Sequence, residues 1–98
     1  MLVIHLRDDL GATHALSLDA ARIVGRDPSC DLAFPQRHLD RQHARFFSEG
    51  SEARLVDHGS SAGTYLNGTL LRAATKLTLG DEVALGNVRV TVVGISES

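Results

Sequence analysis

Apolar residues alternate with polar ones in short runs along the whole chain, and turn-forming clusters cut every run before it reaches helical length. The runs are Leu2, Ile4 and Leu6; Ala15 to Leu18; Ile23 and Val24; Leu32 to Phe34; Ala44 to Phe47; Leu55 and Val56; Val83 to Leu85; and Val88, Val90 and Val92. Between them stand DDLGA, GRDPSCD, SEGSE, DHGSSAG, LNG and LGNV. Period-two alternation over four to eight residues is the mark of a half-buried strand, whereas a helix needs ten or more residues with an apolar stripe at a spacing of three and four. No such window exists, so the chain is expected to be all-β. The stretch Tyr65-Leu66-Asn67-Gly68-Thr69-Leu70 carries the sharpest local signal, because Asn-Gly between β-formers predicts a two-residue type I′ hairpin.

Ninety-eight residues suffice for one core and leave no room for two. A single domain over residues 1–98 is expected, with a core spanning about residues 4–93. Hydrophobic residues make up 43% and charged residues 22%, the balance of a folded globular chain rather than a disordered one. About ten or eleven short strands in one such domain imply a β-sandwich, in which each strand buries one face. The segments 35–41 and 58–63 then fall in loops at one end of the sandwich, the usual seat of function on a rigid scaffold.

The net charge of −2 gives no global attraction to nucleic acid or to an anionic membrane, so neither is expected as a partner. Cys30 is alone, which excludes an intrachain disulfide and suits a reducing compartment. No apolar run is long enough for a signal peptide or a membrane span, and a cytoplasmic location is expected.

Charge is nevertheless concentrated locally. Half of the ten lysines and arginines (Arg22, Arg26, Arg37, Arg41 and Arg45) lie between positions 22 and 45, and residues 37–43 read RHLDRQH. Three chemistries compete for this cluster. A metal site could draw on His38, His43, His58 and Cys30, but a single thiol and no paired cysteine motif argue against it, and no metal or cofactor is expected. A hydrolase could draw on Ser60 or Ser61, His43 and Asp57, but no nucleophile elbow frames the serines, and no enzyme is expected. Recognition of an anion by loops fits best. Guanidinium groups at Arg26 and Arg41, the hydroxyls of Ser60 and Ser61 and the backbone N–H groups of a glycine-bearing loop are the donors that hold a phosphate monoester.

The order GRDPSCD, LDRQHARF, LVDHGSSAGTYLNG and LTLGDEVALG resembles that of the forkhead-associated (FHA) domain, from about Ile4 to Val93. The resemblance implies an eleven-stranded, mainly antiparallel sandwich whose loops grip a phosphothreonine peptide, and hence a noncatalytic protein-interaction module of intracellular signalling. It matches Arg26 to the arginine that contacts phosphate and peptide backbone, Arg41 to the arginine after the phosphate-binding serine, and Ser61 to the hydroxyl of the second binding loop. His43 matches a bracing histidine, Asn67 and Gly68 a turn that follows the binding loop, and Gly25, Gly63, Gly80 and Asp81 positions that shape turns.

Two positions depart from the pattern. Asp40 stands where the family has the phosphate-donating serine, and Ala62 where it has the asparagine that bonds the peptide backbone. An ionised aspartate only accepts hydrogen bonds and sets a negative charge against a group carrying about −1.5 to −2. The expected function is therefore weakened or phosphate-independent recognition of a protein partner through the loop face. The alternative is phosphothreonine binding retained through Arg26, Arg41 and Ser61. Asp40 itself has two placements open to it: paired with Arg26 or Arg41 as a stand-in for the anion, or turning the loop and facing solvent. Arg26 in turn could be a surface arginine paired with Asp27 or Asp31.

Overall fold

A computed structural model describes residues 1–98. Eleven strands form: β1 (Leu2–Asp8), β2 (Thr13–Ser17), β3 (Arg22–Gly25), β4 (Leu32–Ala33), β5 (Ala44–Glu49), β6 (Glu52–Asp57), β7 (Thr64–Leu66), β8 (Thr69–Leu70), β9 (Thr75–Lys76), β10 (Glu82–Leu85) and β11 (Val88–Glu97). They make two sheets, one ordered β2-β1-β11-β10-β7-β8 and the other β4-β3-β5-β6-β9. All pairs are antiparallel except β3 with β4.

The alternation read from the sequence is the alternation of burial. Leu2, Ile4 and Leu6 of β1 point inward, as do Ala44 and Phe46 of β5, Ala53 and Leu55 of β6, Val83 and Leu85 of β10, and Val88, Val90 and Val92 of β11. These join Val24, Leu32, Leu39 and Leu77 in one cluster of 18 buried apolar residues between the sheets. Removing such a side chain from water contributes about 1.5–3 kcal/mol, and Phe46, with no exposed surface, stands at the centre of the cluster.

The Asn67-Gly68 turn forms as the dipeptide requires. Leu66 pairs with Thr69 across a two-residue connection, and both turn residues have positive φ, 51° at Asn67 and 83° at Gly68. Strand β9 was not among the expected elements. Two residues cannot display a period, and Thr75 and Lys76 are held only by pairing with Leu55 and Arg54 of β6.

Because β3 and β4 run parallel, the chain between them must cross over rather than turn tightly. The β3–β4 connection (residues 26–31), the β4–β5 connection (34–43) and the β6–β7 connection (58–63) thereby meet. Backbone bonds from Arg26 N–H to Asp40 O (2.8 Å), Asp27 N–H to Arg41 O (3.2 Å) and His58 N–H to His43 O (2.9 Å) hold the three together.

Candidate functional site

The three connections approach so closely that glycine is obligatory at the junction. A Cβ on Gly25 would lie 2.1 Å from the carbonyl oxygen of Arg41, well inside any contact a real side chain makes. Gly63, at φ +83°, likewise has Leu70 Cδ1 2.8 Å from where its Cβ would stand. Gly25 is thus fixed by the close approach of the β4–β5 backbone, whereas Gly63 is fixed by its positive φ, since the leucine tip beside it can move.

His43 joins those two loops from below. Its ring is fully buried; Nδ1 accepts the Asp40 N–H (3.1 Å) and Nε2 lies 2.8 Å from the Gly63 carbonyl. One nitrogen accepting and the other facing an acceptor defines the Nε2–H tautomer of a neutral imidazole. These two bonds tie the β4–β5 loop to the β6–β7 loop through the ring.

Asp57, at the end of β6, organises the next loop. Its Oδ1 accepts from the hydroxyls of Ser60 (2.5 Å) and Thr64 (2.6 Å), and its Oδ2 from the Ser60 N–H (2.9 Å). Ser60 Oγ in turn accepts the Gly63 N–H at 3.0 Å. Burial pushes the Asp57 carboxyl upward, but the Ser60 and Thr64 hydroxyls and the Ser60 N–H outweigh it and hold the group below the usual carboxylate range. Ser60 is therefore a loop-building residue turned inward, and the Ser60, His43 and Asp57 set lacks a serine-to-imidazole bond. Asp57 was read from the sequence only as a member of that set. An aspartate three residues before a serine, at a strand end, is the signal of a side-chain-capped turn that would have found its role.

Asp40 and Ser61 face each other across the gap between loops. The carboxylate receives the Ser61 N–H on Oδ2 at 2.9 Å and the Ser61 hydroxyl on Oδ1 at 2.9 Å. These two donations from Ser61, opposed by partial burial, hold Asp40 below the usual carboxylate range. Pairing of Asp40 with Arg26 or Arg41 does not occur: neither arginine is within ion-pair distance of any carboxylate. The geometry gives the reason. Asp40 N–H is tethered by His43 and Asp40 O by Arg26 N–H, which turns the carboxylate toward the β6–β7 loop. Nor does Arg26 pair with Asp27 or Asp31. Its Nε donates to Leu39 O at 3.1 Å, while Asp31 bonds Arg22 and the Ile23 N–H.

Arg26, Arg41, Ser61 and Ala62 are exposed on the β3–β4, β4–β5 and β6–β7 connections, and both guanidinium groups act electrostatically on Asp27 rather than on Asp40. Asn67 and Gly68 brace a different junction. Asn67 Nδ2 donates to Asp81 (3.0 Å) and Asn67 Oδ1 accepts the Glu82 N–H (2.9 Å), tying the hairpin to the turn before β10. The histidines and the cysteine considered for metal binding stay apart: both His43 nitrogens are taken, His38 and His58 are exposed, and Cys30 donates to Arg41 O. No group of three or more His, Cys, Asp or Glu side chains is placed to hold an ion.

Two sheets of six and five strands with three connections converging at one end define the class, an eleven-stranded β-sandwich that carries its candidate site on loops. A family model, "FHA domain", matches residues 22–86, and the chain belongs to the FHA family. The chain is 41% identical over 66 residues to the glycogen accumulation regulator GarA of Mycolicibacterium smegmatis, covering 67% of this chain and 41% of that protein. It is 32% identical over 93 residues to the oxoglutarate dehydrogenase inhibitor of Corynebacterium diphtheriae, covering 95% of this chain and 64% of that one. The chain thus spans about half the length of these curated relatives. A solved structure from work on phosphothreonine-dependent FHA domain interactions superposes with a TM-score of 0.85 at 26% identity, covering 94% of this chain and 96% of that one.

Proposed function

We propose that this domain is a noncatalytic protein-interaction module of signalling whose three-loop face meets a protein partner with phosphate recognition weakened or dispensed with. One observation carries the reading: the carboxylate of Asp40 already receives the N–H and the hydroxyl of Ser61. A phosphate seeking those donors must displace a carboxylate that is ionised at neutral pH, and it meets like charge while doing so. Ala62 adds no side-chain donor to the exposed loop. A role in partner recognition is supported by relatives named as a regulator and as an enzyme inhibitor.

A second reading has its own support. Arg26 and Arg41 are exposed cations with no carboxylate within ion-pair distance, on connections that backbone bonds tie together, and guanidinium groups beside the Ser61 hydroxyl are the chemistry that would hold a phosphothreonine once it displaced Asp40. In either case the contacting residues are Arg26, Asp40, Arg41, Ser61 and Ala62, with Ser60, Gly25, His43 and Gly63 shaping the loops.

Amide NMR of the domain, titrated with a degenerate phosphothreonine peptide library and its unphosphorylated twin, separates the two. Equal shifts at Arg41 and Ser61 with both libraries are expected. Shifts with the phosphorylated library alone would overturn the phosphate-independent reading in favour of the second, and silence with both would overturn the loop face as a binding site.

A further inference from the structure

We infer that Gly86, in the turn between β10 and β11, is a positioning residue for the Arg26 guanidinium, acting through the backbone of His38 and Leu39. The consequence for a partner rests on the loop-face reading above, whereas the link from Gly86 to Arg26 is internal to the fold.

Two turns of this chain are built alike. Glu49 pairs with Glu52 across Gly50 and Ser51, and Leu85 pairs with Val88 across Gly86 and Asn87. Glycine holds the first place in both, with φ +61° at Gly50 and +59° at Gly86, while Ser51 and Asn87 keep negative φ. That is the type II′ pattern, in which glycine answers a local need of the backbone. The surroundings differ. A Cβ on Gly50 would meet nothing within 4 Å, whereas one on Gly86 would stand 2.4 Å from His38 O, 2.8 Å from His38 C and 3.3 Å from Leu39 N. Gly86 is therefore required twice, once by its own turn and once by a loop that belongs to the opposite sheet.

The peptide that Gly86 touches is held on every side. Leu39 is buried in the core, its N–H donates to Gln36 O at 3.1 Å, and the next N–H, that of Asp40, is held by His43 at 3.1 Å. Between these fixed points stands Leu39 O, which accepts the Arg26 Nε–H at 3.1 Å. A side chain at position 86 must drive the His38–Leu39 peptide back by about 0.6 Å before the contact reaches even 3.0 Å. With the leucine side chain anchored, that displacement is taken up by rotation of the Leu39 backbone, which swings its carbonyl. An N–H···O bond already at 3.1 Å has little room to lengthen before it weakens.

What depends on that bond is the direction of a charge. Arg26 is exposed, the bond to Leu39 O is the one hydrogen bond its side chain makes, and no carboxylate lies within ion-pair distance. Its terminal nitrogens are thereby left to a ligand while the plane of the guanidinium is set in advance. Arg22 is the contrast, with its donors consumed by Ser17 O, Asp19 and Asp31. A planar fork whose orientation is fixed beforehand engages paired oxygens with less loss of rotamer freedom than one that must be ordered on binding.

The test compares Gly86→Ala with Gly50→Ala in the domain carrying isotope-labelled arginine. Alanine strains the same kind of turn at either place, so lower stability in thermal unfolding is expected of both. In Gly86→Ala alone, the Arg26 Nε–H signal is expected to move upfield and to exchange faster with water. That variant should also bind the tighter of the phosphothreonine library and its unphosphorylated twin roughly threefold or more weakly, with Gly50→Ala unchanged. Should Gly86→Ala fail to fold, Gly86→Asn replaces it, paired with Gly50→Asn, because asparagine tolerates positive φ better. An Arg26 signal identical in the folded Gly86 variant and the wild type would overturn the positioning role, whatever happened to binding. A signal moved equally by the Gly50 variant would trace the effect to lost stability and overturn it as well. A signal moved by the Gly86 variant alone, with binding undiminished, would uphold the role and overturn Arg26 as a contact of the loop face.

Discussion

Replacing Asp40 by serine and Ala62 by asparagine together should convert this domain into a stronger phosphothreonine reader. The magnitude follows from the contact between Asp40 and Ser61. A phosphate taking the Ser61 donors would approach the displaced carboxylate to about 4 Å, where two unit charges in water repel by about 1 kcal/mol. With a phosphate charge of about −1.5 to −2 the repulsion is about 1.5–2 kcal/mol, which screening at physiological salt, with a Debye length of about 8 Å, reduces to about 0.9–1.2 kcal/mol. Removing it corresponds to roughly 5- to 8-fold in affinity. An asparagine at position 62 adds about 0.5–1.5 kcal/mol for each hydrogen bond it makes to the peptide. The variant should lose less than about 1 kcal/mol of stability, since Ser61 is exposed and water replaces the lost acceptor. Isothermal titration with the tightest peptide of the phosphothreonine library measures the outcome. A gain of at least tenfold that shrinks with added salt is expected; a folded double variant with unchanged affinity would refute the account of Asp40 as the obstacle.

The remaining expectations concern the scaffold of the site. Asp57→Ala strands the hydroxyl of Thr64, which has no exposed surface, and should cost about 1–3 kcal/mol in urea unfolding while broadening the amide signals of residues 58–63. His43→Ala leaves the Asp40 N–H and the Gly63 carbonyl without partners and opens a cavity, so a loss of about 2–5 kcal/mol is expected by thermal unfolding. Gly25→Ala must push the Arg41 backbone aside, and a loss of about 1–3 kcal/mol or more should accompany weaker partner binding. Acid unfolding has a definite sign. Asp40, Asp57 and Asp81 all have folded carboxyls held below their ordinary values, so the stability they contribute is present above the unfolded carboxylate pKa near ~3.9 and is lost as pH falls through the folded values. The urea midpoint should therefore hold between about pH 7 and 5 and fall below about pH 4, less steeply in Asp57→Ala.

What could be read from the sequence was whatever a short stretch of chain decides for itself. The Asn67-Gly68 hairpin needed only two residues that accept positive φ, and the alternation in β1 and β11 needed only the two faces of a strand. Strand β9 could not be read, because its two residues are made a strand by β6 and not by their own pattern. The site divided in the same way. Arg26, Arg41 and Ser61 are exposed on the three connections that the motifs name. The partner of Asp40 was not found, since it lies 21 residues away and is selected by the tethers on the Asp40 backbone rather than by charge. A search by charge alone chooses an arginine; the folded loop offers a serine.

The buried ring of His43 has a consequence for recognition. Two loops that must agree on a ligand are wired through one imidazole inside the core, so their relative position is settled when the protein folds and not when a partner arrives. Such a surface meets its ligand already ordered, and the entropy that mobile loops would surrender on binding has been surrendered beforehand. On the proposed reading, discrimination then falls to the partner: a segment that matches the fixed backbones of the two loops gains the full interaction, and one that is misaligned by a residue finds no loop able to follow it.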